Sequence, residues 1–130
     1  MTSEVVLDTH TLVWALLYPD RLTGRARDAI AAADRVAISA ASLYELAFKA
    51  SLGRWREAEP LLPHLPGGVV EAEMEILAVS DEVALRAARL DWAHGDPFDR
   101  IIVASALARG AAVVTRDRPI RRYEGVATVW

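Results

Sequence analysis

Cysteine is absent from this 130-residue chain, lysine occurs once (Lys49), and there are only three histidines and two phenylalanines. Without thiols there can be no disulfide, no cysteine nucleophile and no Cys-ligated zinc or iron–sulfur centre. No apolar run approaches the roughly 18–20 residues that span a bilayer. The opening Met1-Thr2-Ser3-Glu4 lacks the basic region of a secretory signal. The expectation is a cytoplasmic protein with no membrane partner. Repeats, heptad arrays and low-complexity linkers are also missing, and the patch Pro63-His64-Leu65-Pro66-Gly67-Gly68 is too short to be a domain boundary. Residues 1–130 are therefore expected to form a single domain. What is present is ordinary globular composition, 53% hydrophobic and 25% charged, which excludes disorder. A chain of this size buries about two-thirds of its unfolded surface. The net charge of −3 argues at first sight against a nucleic-acid partner.

Short β-branched runs alternate with helical periodicity. Val5-Val6-Leu7, Val36-Ala37-Ile38-Ser39, Ile76-Leu77-Ala78-Val79, Ala111-Ala112-Val113-Val114-Thr115 and Val126–Trp130 read as strands. Leu12, Leu16 and Leu17 recur at helical spacing until Pro19, and Thr23 can cap a helix over Arg25–Ala33. A third helix is expected from Ser42 to about Leu52, opened by the capping box Ser42-Leu43-Tyr44-Glu45 and closed by Gly53. Further helices are expected over Glu57–Leu65, over Val83–Leu90 after the cap Ser80, from Asp96-Pro97 to Leu107 before Gly110, and over Pro119–Tyr123. Such alternation implies an α/β fold, a mainly parallel sheet covered by helices on both faces. Trp14, Trp55, Trp92 and Trp130 are expected as packing anchors, Trp55 being also a candidate base contact between Arg54 and Arg56.

Four carboxylates share one topological address. Asp8 follows the first strand, Glu45 lies in the first turn after the second, Asp99 in the first turn after Asp96-Pro97, and Asp117 follows the fourth strand. Singly, each has a structural explanation as a cap, a dipole-favoured acid or, for Glu45, a partner of Lys49. Together they fall where open parallel sheets bind ligands, beyond the carboxyl ends of the strands. Two carboxylates about 5 Å apart at an effective dielectric near 20 repel by roughly 3 kcal/mol. A helix N-terminus returns only about 0.3–2 kcal/mol per acid. Such a cluster must protonate in part, recruit arginine or bind a cation. Oxygen-rich ligation with few histidines points to Mg²⁺ or Mn²⁺ and away from zinc.

Around these acids the chain resembles the PIN-domain ribonucleases, specifically the VapC-type toxins of toxin–antitoxin pairs. The resemblance rests on Leu7-Asp8-Thr9-His10, on Ser39-Ala40-Ala41-Ser42-Leu43-Tyr44-Glu45, on Asp96-Pro97-Phe98-Asp99-Arg100 and on Thr115-Arg116-Asp117, in that order over nearly the whole chain. It implies a three-layer α/β/α fold with strand order 3-2-1-4-5 and Mg²⁺-dependent endoribonuclease activity, Mn²⁺ substituting. Its acidic tetrad falls on Asp8, Glu45, Asp99 and Asp117, as catalytic residues and metal ligands, with Asp96, Thr115 and Ser39 as supporting groups. It implies an RNA substrate, 5′-phosphate and 3′-hydroxyl products, a homodimer and a VapB-type antitoxin. Trp14, Leu17 and Tyr18 with Leu43, Leu46 and Phe48 are candidates for the antitoxin groove, or for the core.

Arg116 and Arg118, which flank Asp117, are the leading candidates to hold RNA phosphates; Arg54, Arg56, Arg121 and Arg122 are further ones. His10 and His94 are expected to be packed or solvent-tipped and not metal ligands, and His64 has no assigned role. A haloacid-dehalogenase phosphatase would need Asp-x-Asp after the first strand, where His10 stands instead. A receiver domain would need a lysine after a late strand, whereas Lys49 follows the second. A catalytically silent scaffold that keeps the acids as caps is the remaining alternative. With the four acids set aside, the formal charge of −3 becomes +1, so the acidic balance ceases to count against RNA.

Overall fold

In the computed structural model, which describes residues 3–130, five parallel strands form one sheet in the order β3-β2-β1-β4-β5. They are β1 (Glu4–Leu7), β2 (Arg35–Ser39), β3 (Met74–Leu77), β4 (Ala112–Val114) and β5 (Thr128–Val129). The helices are α1 (Thr9–Leu17), α2 (Gly24–Ala32), α3 (Ala40–Ser51), α4 (Gly67–Glu71), α5 (Asp81–Arg89), α6 (Pro97–Arg109) and α7 (Arg118–Arg122), with 3₁₀ segments at Pro19–Arg21 and Arg56–His64. Because strand side chains alternate, β1 feeds two cores at once. Val5 and Leu7 pack with Leu12, Trp14 and Leu46 on one face, while Val6 packs with Ile102, Val103 and Ala106 of α6 on the other. Helices thus cover both faces, which is the three-layer α/β/α arrangement expected. Among the described residues, no helix is long and apolar enough to cross a membrane.

The capping chemistry is largely as the sequence predicts. Thr23 accepts from the Ala26 amide, Ser80 from that of Val83, and Asp96 from that of Asp99 ahead of Pro97. Gly110 ends α6 at φ 63°, in the left-handed region that glycine occupies without a Cβ penalty.

Four local expectations are corrected. The cap of α3 is Ser39, whose Oγ accepts from the Ala41 amide at 3.1 Å. The helix starts directly off β2, so Ser42 already lies inside it, its Oγ accepting from Thr9 Oγ1 at 3.0 Å, and Glu45, expected in the first turn, falls in the second. Residues 57–65 form 3₁₀ turns in place of an α-helix because Pro60 and Pro63 remove interior donors. The patch with Gly67 and Gly68, for which no element was expected, opens the one-turn helix α4. Strand β3 begins at Met74, which pairs with Val36, and stops at Leu77 without the expected Ala78 and Val79, because its partner β2 ends at Ser39, opposite Leu77.

Trp14 and Trp55 are buried in the core beneath α1, Trp130 packs on Trp14 with ring centroids 5.9 Å apart, and Trp92 stacks on Tyr123 at 4.7 Å. Of the proposed groove residues, Trp14 and Leu46 are core, Leu17, Tyr18 and Leu43 pack partly buried against it, and Phe48 is exposed. These six do not make one open apolar groove.

Candidate active site

The strand order reverses at β1, whose chain neighbour β2 lies on one side and β4 on the other. Leu7 registers with Val114, so the residues just beyond them, Asp8 and Thr115, meet past the sheet edge. Asp8 caps α1, its Oδ1 accepting from the Thr11 amide at 2.8 Å. The Thr115 hydroxyl donates to Asp8 Oδ2 and accepts from the Asp117 amide at 2.9 Å. Asp117 in turn caps α7, its Oδ2 accepting from the Ile120 amide at 3.2 Å. One fully buried hydroxyl therefore ties together two acids from different strand ends.

The third acid arrives on α6. Asp96 fixes the helix start by accepting from the Asp99 amide at 3.0 Å. Asp99 Oδ2 meets His94 Nε2 at 2.7 Å. The loop carrying His94 is held by Arg100, whose guanidinium donates to the carbonyls of Trp92 at 2.7 Å and of Ala87, Leu90 and His94 at 2.9 Å. These bonds use the full donor fork of an arginine, a geometry lysine cannot reproduce. The ligand atoms of His94, Asp99 and Asp117 all lie within 4.8 Å of one another, and theirs is the group of metal-capable side chains found among the described residues.

Burial dominates the electrostatics. It pushes the Asp8 carboxyl above its ordinary value, although hydrogen bonds from Thr115 and Thr11 and the proximity of His10 pull the other way. Burial likewise pushes Asp99 up to about 6; His94 opposes the shift, and the carboxylates of Asp96 and Asp117 reinforce it. An excess of negative charge in a poorly solvated place is a standing demand for a cation.

Glu45 is buried on α3, its Oε2 accepting from Lys49 at 2.5 Å. It is the one member of the predicted tetrad bound to a cationic side chain. A cleft of about 400 Å³ opens beside Asp8 and Asp117 and is lined also by His10, Trp14, Glu57, Arg116 and Arg118. Both arginines are exposed and lack ion pairs among the described residues, and the Arg116 guanidinium lies 5.7 Å from the centre of the Trp14 ring.

Residues 5–126 match the PIN domain model. The chain belongs to the PIN-domain family. This PIN domain is 36% identical to Ribonuclease VapC22 of Mycobacterium tuberculosis over 98% of its own length and 99% of that protein's. Its fold is shared with VapBC of Salmonella typhimurium bound to DNA (TM-score 0.66, 23% identity, 98% of this chain and 97% of that one). It is shared also with a toxin–antitoxin complex from Klebsiella pneumoniae (TM-score 0.59, 21% identity, 95% and 96%).

In this PIN domain Asp99 and Asp117 come together, Asp8 is tied to Asp117 through Thr115, and Glu45 stands apart in the second turn of α3. Asp96 shapes α6 and adds charge beside Asp99, while Ser39 is buried as the α3 cap. His94, expected from the sequence to stay clear of any metal, is brought in by the structure. Its position two residues before the Asp96 cap was the available signal. A short loop held at a helix start has little choice but to face the acids there.

Proposed function

We propose that this protein is a divalent-metal-dependent endoribonuclease, the toxin of a toxin–antitoxin pair acting in the cytoplasm. The observation that carries the reading is the group of acids at the β1/β4 switch point, buried and uncompensated enough that Asp99 is pushed up to about 6. The 36% identity to a protein named a ribonuclease supports the same activity here. The shared fold with a toxin–antitoxin complex supports an antitoxin partner.

The donor set fits a hard cation. It offers several carboxylate oxygens and one imidazole, and no thiol, which suits Mg²⁺ or Mn²⁺. Asp8, Asp99 and Asp117 would hold the ion, with Glu45 and His94 completing its surroundings. Bound there, the metal lowers the pKa of a water and neutralises charge gathering on the scissile phosphate.

The remaining work falls to the chain. The Thr115 hydroxyl keeps Asp8 Oδ2 turned toward Asp117. Glu45, held at Oε2 by Lys49, has Oε1 left unbound among the described residues and would take a proton from the attacking water there. Arg116 and Arg118 bind phosphates of the RNA as it crosses the cleft. Capping and chemistry do not compete in this design, since Asp117 spends only Oδ2 on its helix and Oδ1 is left to the site.

The test is cleavage of total RNA by protein purified away from any antitoxin, with the new ends mapped, comparing wild type with Asp8→Asn. Asparagine caps a helix as well as aspartate does, so the change removes charge and spares the fold. The wild type should cut with Mg²⁺, leaving 5′-phosphates, and the variant should not. Undiminished metal-dependent cutting by Asp8→Asn would sink the mechanism.

A further inference from the structure

A second cavity shares His10 with the cleft beside Asp8 and Asp117, and its aromatic walls have no role in the mechanism above. It measures about 480 Å³, within the range of small-ligand pockets, and its walls include Tyr44, Phe48, Phe98 and Trp55. Tyr44 and Phe48 stack on one another, with centroids 5.6 Å apart and planes 17° from parallel, and Phe98 lies 6.1 Å from Tyr44. His10 closes the floor against Trp55 at 4.5 Å. Tyr44 is 60% exposed and Phe48 49%, an unusual outlay of aromatic surface in a chain with so few aromatics.

Two features say what this surface is for. First, four of its lining residues are close chain neighbours of a site acid: His10 of Asp8, Tyr44 and Phe48 of Glu45, Phe98 of Asp99. The aromatic faces and the carboxylates are thus carried by the same three helices, α1, α3 and α6. Second, the charged groups lining the pocket are Lys49 and Arg54, with no carboxylate among its lining residues, although the protein as a whole carries −3. The Lys49 ammonium, 5.9 Å from the centre of the Phe98 ring, is already bound to Glu45, so Arg54, exposed without an ion pair among the described residues, is the cation left for an incoming phosphate. Aromatic faces edged with cations are the chemistry of single-stranded nucleic-acid binding, where bases stack and phosphates are neutralised.

We propose that this pocket is a stacking platform for an unpaired nucleobase of the RNA next to the bond that is cut, with Tyr44 and Phe48 as its principal faces. The proposal rests on the ribonuclease reading and adds a substrate requirement to it, that the nucleotide beside the scissile phosphate be unstacked from its own helix. A second copy of the chain docking through Tyr44, Phe48 and the exposed Leu52 is the competing occupant. The pocket lining offers no carboxylate for Arg54 to meet on an identical face, whereas an RNA phosphate meets it directly, so the charge pattern favours RNA.

The experiment measures anisotropy of two labelled single-stranded RNAs of mixed sequence, one of them abasic with the same phosphates. Binding is read in the Asp8→Asn background, which leaves the RNA intact. Adding Tyr44→Ala should weaken the base-bearing RNA by about 5- to 150-fold. It should leave the abasic RNA unchanged, and Tyr44→Phe should restore the loss. Equal weakening of both RNAs, or of neither, overturns the platform while the ribonuclease reading stands. So does a shift from dimer to monomer in sedimentation with RNA affinity unaltered. Failure of the Asp8→Asn protein to bind either RNA would instead remove the ribonuclease reading, and the platform with it.

Discussion

The two edges of the sheet spend their acids differently. At the amino-terminal edge, Glu4 and Glu75 close on Arg109 at 3.0 and 2.9 Å, and Glu4 also has Arg35 within 3.9 Å. Those hydrogen bonds hold the Arg109 guanidinium even more firmly protonated than usual. At the carboxyl-terminal edge, Asp8 receives its hydrogen bonds from a threonine hydroxyl and a backbone amide, and Asp99 from an imidazole. Arginine was available to both edges, since fourteen of the fifteen basic residues are arginine. An acid neutralised by a guanidinium braces the fold; Asp8 and Asp99, with no arginine or lysine partner among the described residues, keep their charge for something that arrives later.

Substitutions at the two edges should therefore separate. The largest effect is expected from Asp8→Asn or Asp99→Asn, which should lower the cleavage rate by ~10³-fold or more, in keeping with several kcal/mol of lost charge stabilisation. Single-turnover cleavage of a mapped substrate measures this. Arg109→Ala should leave the same rate unchanged.

Next comes the pH dependence of stability without metal. The folded-state value of Asp99, about 6, lies above the ordinary 3.8. Between those values the folded protein holds a proton that the unfolded chain has lost. This contribution is therefore fully present below about pH 4 and is lost as pH rises through about 6, costing on the order of 3 kcal/mol. Asp8 shifts in the same direction. Denaturant unfolding in chelator should show this fall, and Asp99→Asn should flatten it. Metal should bind more weakly as pH drops below about 6, when the Asp99 carboxyl protonates.

Thr115→Val should follow, costing about 10- to 100-fold in metal affinity, because the hydroxyl that sets Asp8 against Asp117 is gone while the packing volume stays. Smallest is the stability cost of Arg109→Ala, about 1 kcal/mol or less, since its pairs are partly exposed. A large stability loss at Arg109, or a large activity loss there, would erase the contrast between the edges.

Much of this was legible in the sequence for local reasons. Val5-Val6-Leu7 and Val113-Val114 are apolar on both sides, as strands of a doubly covered parallel sheet must be, and Thr23, Ser80 and Asp96 sit at helix starts and cap them. Four acids at strand ends and helix starts pointed to one pocket; Asp99 and Asp117 come within 4.8 Å at their ligand atoms, and Asp8 is linked to Asp117 through Thr115. Pairing decided what local chemistry does not encode. The length of β3 follows from where β2 stops, and Ser42 lost its capping role because Ser39, still in extended conformation, took it first. The imidazole of His94 was invisible for a similar reason, since its place depends on a loop strung from the Arg100 fork. Tyr44 and Phe48 fit a helix repeat equally well facing core or solvent, and only the packed fold shows both faces open.

The central claim, that the carboxyl-terminal edge holds its acids in reserve for a divalent cation, is tested most directly by calorimetric titration of Mn²⁺ and Mg²⁺ into chelator-treated protein. Wild type and Arg109→Ala should bind alike, and Asp99→Asn should lose measurable binding. Equal binding by wild type and Asp99→Asn, or none by wild type, would contradict the account.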